Sequence, residues 1–544
     1  MASSNPLWYK DAVFYELNLR AFADGNGDGH GDFIGLIQRM DYLVELGINA
    51  VWLMPFYPSP LKDNGYDISD FYNIDPAYGT LDDFKQALAE FHKRGIRVTV
   101  DLVVNHTSDQ HPWFIESRSS KDNPKRDWYV WSDTDQKYQG TRIIFIDTEP
   151  SNWTLDPLTG EYFWHRFYKE QPDLNYDNPE VQAEMLNIMR FWLKLGIDGF
   201  RVDAVPYLFE REGQNGENLP ETHVYIKQMR AMMDTEFPGT IMLAEANQWP
   251  KDLMPYLQGD EFHMGFHFPL MPRLFMAVRQ HNRRELINIL NETPMLPETL
   301  QWCIFLRNHD ELTLEMVTEE QRQWMWQEYA PDPRMKLNLG IRRRLAPLLD
   351  NDHRRINLLN ALLFSLPGTP ILYYGDEIGM GDDIWRYDRN GVRTPLQWDS
   401  SKHGGFSTAD KIVEDAISDE VYGYQRVNVA AARQDAGSLF NMIRHQMAVR
   451  KQHNIFGRGD FRVLYPANEA IFAYERLLEK PEQGVAHVLV IANLADSEQE
   501  VLVDTSAYAG LTPVDLLTGQ AYPSLGSATY QVRLSAYGCV WLGA

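Results

Sequence analysis

Eight short runs rich in valine, isoleucine and aromatic residues recur along most of this chain: Ala12 to Leu19, Ala50 to Pro55, Arg97 to Val104, Gly199 to Val205, Thr240 to Ala244, Met264 to Phe268, Trp302 to Arg307 and Pro370 to Tyr374. Stretches with helical spacing lie between them, such as Leu36 to Leu43, Leu81 to Arg94 after a Thr80 cap, and Val181 to Leu195 after Asn178 and Pro179. Strands apolar on both faces that alternate with helices belong to a parallel sheet covered on both sides. Eight of them predict an α/β fold, a closed (β/α)8 TIM barrel.

The alternation breaks in three places. After the third run, residues 105–178 are full of Asp, Trp, Tyr, Pro and Gly, which predicts an inserted lid domain. After the seventh, the charged segment 311–352 predicts a solvated helical cap. Beyond a helix over Ser438 to His453 come short alternating runs, Arg462 to Tyr465, Ala470 to Tyr474, Ala486 to Asn493, Glu500 to Val503 and Val532 to Trp541. They predict an antiparallel β-sandwich over 454–544, leaving 1–104 and 179–453 to the barrel.

Charge narrows the partners. With 51 Lys and Arg against 76 Asp and Glu, the net charge of -25 repels nucleic acid and anionic membranes and suits a small neutral substrate. A homo-oligomer is compatible with the sequence. The start, Met1 to Lys10, lacks a basic segment followed by an apolar one, so cytoplasm is the expected location. The apolar stretch Leu358 to Tyr374 is broken by Asn360, Ser365, Pro367, Gly368 and Pro370 and cannot span a bilayer. Cys303 and Cys539 are too few for a disulfide scaffold or a cysteine metal cage.

The chemistry is written at the ends of three runs. Asp203 closes Gly199 to Val202, Glu245 closes Ile241 to Ala244, and Asp310 ends Trp302 to His309. An acid where a barrel strand runs out points into the catalytic face. Retaining chemistry at an acetal carbon needs an ionised carboxylate to attack and a protonated one to assist the leaving oxygen. Arg201 shares a strand face with Asp203 and is expected to lower its pKa, making Asp203 the nucleophile. Glu245 has no cation within two residues and is expected to stay protonated as acid and base. The alternative is a structural Arg201–Asp203 ion pair at the barrel rim. His106 and His309 stand at strand ends where they could donate to sugar hydroxyls, although a histidine there is often only a satisfied loop residue.

The stretch Asp24 to Asp32 offers oxygen ligands at alternate positions, five in register, with glycines between. That pattern suits Ca2+ first and Mg2+ second, and otherwise makes a solvated turn. It departs from the calcium loop of helix-loop-helix proteins because position twelve is Gly35, not a glutamate.

These residues carry a resemblance. The blocks Asp101 to His106, Gly199 to Val205, Leu243 to Asn247 and Leu306 to Glu311, with Gln171 to Asn175, resemble the α-amylase superfamily in its oligo-1,6-glucosidase branch, over almost the whole chain. The family implies Asp203 as nucleophile, Glu245 as acid and base, and Asp310 as a third acid. It further implies Asp67, His106, Arg201, His309 and Arg393 around the transferred glucose. It matches the loop set Asp24, Asn26, Asp28, His30 and Asp32 to a calcium site. A second calcium is implied at Asn105, Asp173, the Tyr207 and Leu208 carbonyls, and Glu210. No organic cofactor is implied. The blocks Glu245 to Pro250, His309 to Val317 and Asp203 to Leu208 most resemble members that interconvert maltose and trehalose by intramolecular transfer. Ala204 stands where α-1,6 hydrolases of the branch usually carry valine. An α-glucosidase, a sucrose-acting isomerase and a non-catalytic transporter subunit are the rival readings.

Overall fold

The computed structural model describes residues 5–505, 509–526 and 529–544, so Met1 to Ser4 of the expected leaderless start lie outside the described residues. Eight parallel strands close on themselves: β1 (Phe14–Leu17), β2 (Ala50–Leu53), β3 (Arg97–Val103), β4 (Gly199–Asp203), β5 (Ile241–Ala244), β6 (Met264–Phe266), β7 (Gln301–Phe305) and β8 (Thr369–Tyr373). The ring shuts where Phe14 of β1 faces Ile371 of β8. Six strands lie within the runs expected from the sequence, and β7 and β8 each begin one residue earlier, at Gln301 and Thr369; apolar residues on both faces have somewhere to go, the barrel interior and the helical ring outside.

The outer helices carry their start signals in the sequence. Thr80 and Asp83 form a reciprocal capping box before Leu81–Lys93, and Asn178 caps Pro179–Leu195 with proline at its first position. Ser438 caps Leu439–Gln452.

The segment after β3 holds a helix, Pro112–Ser119, and a three-stranded antiparallel sheet of Trp131–Ser132, Tyr162–Trp164 and Trp153–Leu155 around its own small core of Val130, Trp153 and Trp164. The segment after β7 is not simply helical as expected. It pairs the helix Glu319–Tyr329 with a small sheet, Leu312–Thr313, Gly340–Ile341 and Lys336–Leu337. Leu312, Leu314 and Ile341 are buried there, an alternation too short to register against the surrounding charge.

The C-terminal part packs a five-stranded sheet against a two-stranded one, all antiparallel. The expected run Val532 to Trp541 is two strands, Thr529–Leu534 and Cys539–Gly543, turned at Tyr537 with φ +56. This part is stitched to the barrel by arginines. Arg283 donates to the carbonyls of Pro466, Asn468 and Ile471. Arg476 reaches back across the seam to the Ser365 carbonyl and also holds that of Gly459, while inside the barrel part Arg450 holds those of Phe364 and Gly368. Burial pushes Arg476 down to about 10 and Arg450 to about 9, the mark of guanidiniums satisfied by dipoles instead of carboxylates. Both cysteines are free, Cys303 buried in β7 and Cys539 half-buried. Among the described residues no helix is long and apolar enough to cross a membrane.

Candidate active site

At the C-terminal ends of β4 and β5 the chain delivers two carboxylates to one guanidinium. Arg201 Nη1 contacts Asp203 Oδ1 at 2.5 Å and Asp101 Oδ1 at 2.5 Å, while its Nη2 contacts Glu245 Oε1 at 2.7 Å. The cation absent from the sequence around Glu245 therefore comes from the neighbouring strand. Ala204 adopts the left-handed conformation, φ +51, and its N–H donates to Glu245 Oε2 at 3.1 Å. A non-glycine residue held there beside two acids is the kind of strain that functional sites keep.

Electrostatics separate the two acids. Burial, with Asp203 and Asp310 nearby, lifts Glu245 to about 8 against the opposing pull of Arg201. Burial also raises Asp203, and Arg201 only opposes this, so the expectation that Arg201 sets a lowered pKa is corrected: desolvation outweighs the charge. A hydrogen bond between the two carboxyls raises Glu245 and lowers Asp203. One proton shared by the pair thus belongs on Glu245, leaving Asp203 ionised.

Asp310 lies past the end of β7 in a cationic cradle. His309 Nε2 stands 3.0 Å from Asp310 Oδ2, and Arg389 and Arg393 donate to Oδ1 at 2.6 and 2.9 Å. Although burial opposes it, the charges of Asp310 and Glu16 hold His309 up at about 9, with Glu16 Oε1 2.5 Å from Nδ1. In spite of burial, His309 and Arg389 hold Asp310 well below the usual carboxylate range.

Not every expected residue faces the cavity. Asp67 is fully buried and accepts from Ser59 Oγ and from the N–H groups of Lys62 and Asp63, so it braces the loop after β2 and is not among the residues lining the cavity. Its neighbour Asp63 lines the cavity and pairs with Arg389 at 2.6 Å. Arg393 likewise stands behind Asp310 and the His309 carbonyl, and Arg389, equally buried, is the one that lines the cavity. His106 lines the cavity, its Nε2 is 3.2 Å from Gln171 Nε2, and burial pushes it down to about 3, a neutral ring. Tyr66 stacks on His309 with ring centroids 5.2 Å apart. Asp63, Tyr66 and Arg389 escaped the sequence reading. Tyr66 stood in view within Gly65-Tyr66-Asp67, whereas Arg389 is marked only by charges that alternate from Arg386 to Arg389.

The remaining wall comes from loops. Ile144, Phe145 and Phe167 of the lid face Tyr207, Asn247, Phe268, Glu311, Thr313 and Glu315 across a cavity of about 110 Å3. Arg142 ties the two sides, its Nη1 2.9 Å from Glu315 and its Nε 2.6 Å from Glu217. The arrangement can hold a sugar ring against an ionised carboxylate and a neutral acid, under cover.

Two places could hold a cation. In the loop, Asp24 accepts from the N–H groups of Gly27 and Gly29, and Asp32 from those of Gly25, Asn26 and Gly35. This curls the chain so that Asp24, Asn26, Asp28, His30 and Asp32 take positions one, three, five, seven and nine of a calcium-loop pattern with glycine at six. At the second place, Asn105 Oδ1 and Asp173 Oδ2 are buried without a hydrogen-bond partner. Glu210 is buried with them, burial and Asp173 raising its pKa well above the usual range. Orphaned oxygens beside crowded carboxyls fit a hard cation there, with the Tyr207 and Leu208 carbonyls on the adjoining turn. Among the described residues no cluster of three or more His, Cys, Asp or Glu side chains is arranged for a metal, the loop carboxylates Asp24, Asp28 and Asp32 included.

Comparison with known proteins agrees with this geometry. The family described as alpha amylase, catalytic domain, matches residues 18–459, and that described as maltogenic amylase, C-terminal domain, matches residues 461–541. The chain is 54% identical to a trehalose synthase/amylase TreS of Mycobacterium tuberculosis, over 99% of this chain and 90% of the relative. It is 53% identical to a trehalose synthase of Pimelobacter sp., over 98% and 96%. A crystal structure of the trehalulose synthase MutB from Pseudomonas mesoacidophila superposes with a TM-score of 0.77 at 27% identity, covering 98% of this chain and 99% of that one.

Proposed function

The chain belongs to the α-amylase family, and on that premise we propose that it interconverts maltose and trehalose by glucosyl transfer within the bound disaccharide, with minor hydrolysis to glucose. Asp203 attacks the anomeric carbon while Glu245, neutral at pH 7, gives its proton to the departing oxygen, leaving a glucose covalently on Asp203 and a free glucose beside it. That freed ring turns within the pocket, and its own anomeric hydroxyl, deprotonated by Glu245, attacks the glucosyl carbon from the face it left. Two inversions preserve configuration and give the α,α-1,1 linkage. Asp310, fixed by Arg389, Arg393 and His309, binds substrate hydroxyls and stabilises the positive charge of the transition state. Neutral His106 can donate one hydrogen bond to the same ring.

The observation that carries this reading is the acid pair on one guanidinium, the neutral member displaced to about 8, inside a cavity covered by lid and cap. Cover is the chemical requirement, because water competes with the freed sugar for the covalent intermediate. A chromatogram of products from maltose, and separately from trehalose, tests it. Each disaccharide yielding mainly the other is the expected result, and glucose alone from both would leave an α-glucosidase.

We further propose Ca2+ at the two oxygen sets, with Mg2+ as the lesser fit: Asp24, Asn26, Asp28, the His30 carbonyl and Asp32, and Asn105, Asp173, the Tyr207 and Leu208 carbonyls and Glu210. A bound cation would neutralise the crowded carboxyls of the second set and join lid to barrel. Chelation should lower the melting temperature by a few degrees, restored by Ca2+, and an unchanged melt would refute both sites. Cell fractionation and light scattering test a cytoplasmic location and a homo-oligomer.

A further inference from the structure

The lid segment that covers the cavity is pinned on both sides of the residues it inserts. Ile144 and Phe145 line the cavity. On one side of them Arg142 is held by Glu217 and Glu315. On the other side stands Asp147, whose carboxylate Oδ2 accepts from the main-chain N–H of Asn338 at 2.7 Å, while its own N–H returns a longer bond to Asn338 Oδ1 at 3.4 Å. Asn338 forms the turn between the strands Lys336–Leu337 and Gly340–Ile341, at φ +49, a conformation asparagine tolerates better than most residues. Its remaining donor, Nδ2, reaches Glu311 Oε1 at 3.3 Å. Glu311 lines the cavity, and its Oε2 is buried without a partner. The turn is packed closely enough that a Cβ on Gly340 would lie 2.5 Å from Glu311 Cγ. One residue of the cap thus grips the lid with its backbone and the cavity wall with its side chain.

We propose that Asp147 and Asn338 form a latch that sets the product of the reaction, keeping lid and acceptor wall together while the freed sugar turns. The proposal rests on the maltose and trehalose reading and deepens it. Neither residue is among those lining the cavity, so the latch does not touch the reacting atoms and acts by positioning Ile144, Phe145 and Glu311. A carboxylate accepting a main-chain N–H is among the stronger hydrogen bonds, and its loss tilts a closed lid toward open. An open lid admits water to the glucosyl carbon and releases glucose, leaving Asp203 and Glu245 intact.

The test uses Asp147→Ala, Asn338→Gly and the double variant in the full chain. Asn338→Gly keeps the left-handed turn and the main-chain donor and removes only the side-chain bonds. Each is given maltose, and the ratio of glucose to trehalose is measured, with incorporation of labelled free glucose into trehalose, hydrolysis of p-nitrophenyl α-glucoside, and thermal melting. Asp147→Ala should raise the glucose to trehalose ratio about tenfold and admit label, while aryl glucoside kcat/KM stays within about twofold. Asn338→Gly should raise the ratio less. The double variant should add little to Asp147→Ala, since both changes open one contact. A folded Asp147→Ala protein with the wild-type ratio overturns the latch, as does a ratio that rises only in step with lost aryl glucoside hydrolysis. A wild type that makes glucose alone removes the reading beneath it; trehalose from the wild type with unchanged variants removes the latch alone.

Discussion

The two walls of the cavity are built by different means. The wall carrying Asp203, Glu245, His309 and Asp310 stands on strand ends or just beyond them, and its charged groups are cross-braced by Arg201, Arg389, Arg393 and Glu16 at 2.5 to 3.0 Å. The opposite wall is made of loops from the lid and cap, joined through a few polar contacts at Arg142 and Asn338. Rigid strand ends fix where bonds break, and adjustable loops decide what receives the glucose. That division lets one barrel serve hydrolysis and transfer alike.

Breaking the first wall should cost the most. Asp203→Ala should lower turnover of maltose by ~10^4-fold or more, since no covalent intermediate can form, read by initial rates on maltose and aryl glucoside alike. Next in size is the pH effect. Glu245 donates only when protonated, so with its pKa at about 8 the rate should hold through neutrality and fall about tenfold per unit above pH 8. A flat profile to pH 10 would deny it the acid role. Changes to the second wall should redirect the reaction more than slow it. Arg142→Ala should raise the glucose fraction from maltose severalfold while aryl glucoside hydrolysis stays near wild type, a split that chromatography and a chromogenic assay separate. The smallest effect expected is at Ala204. Valine there must adopt φ near +51, which costs of order 1–3 kcal/mol, visible as a lowered melting temperature with residual activity.

The contrast between the walls also explains what could be read beforehand. All eight barrel strands were legible, because burial on both faces leaves a continuous apolar signature. Asp203 and Glu245 were legible because each interrupts such a run at its end. The loop wall was not. The family resemblance points to Asp67, whereas Asp67 accepts from backbone amides and Asp63, four residues earlier, lines the cavity, a distinction only the fold shows. Arg389 and Asn338 act through partners far away in the chain, Asp63 and Asp147, and no local spacing announces a contact of that kind. The direction of the Asp203 shift differs from the sequence expectation for a related reason: Arg201 stands only two residues away in sequence, whereas desolvation depends on everything else that surrounds the strand.

Guanidiniums bound to carbonyls across the seam between the barrel and the terminal sheets carry a consequence for how the molecule comes apart. Cutting the chain before residue 460 would strand Arg283 without its acceptors and take away the sheet that Arg476 fastens beneath the last barrel helices, uncovering a base never meant to meet water. Heating the intact protein should therefore produce a single calorimetric peak, both units dissolving together, so that a border visible in the sequence is no border in unfolding.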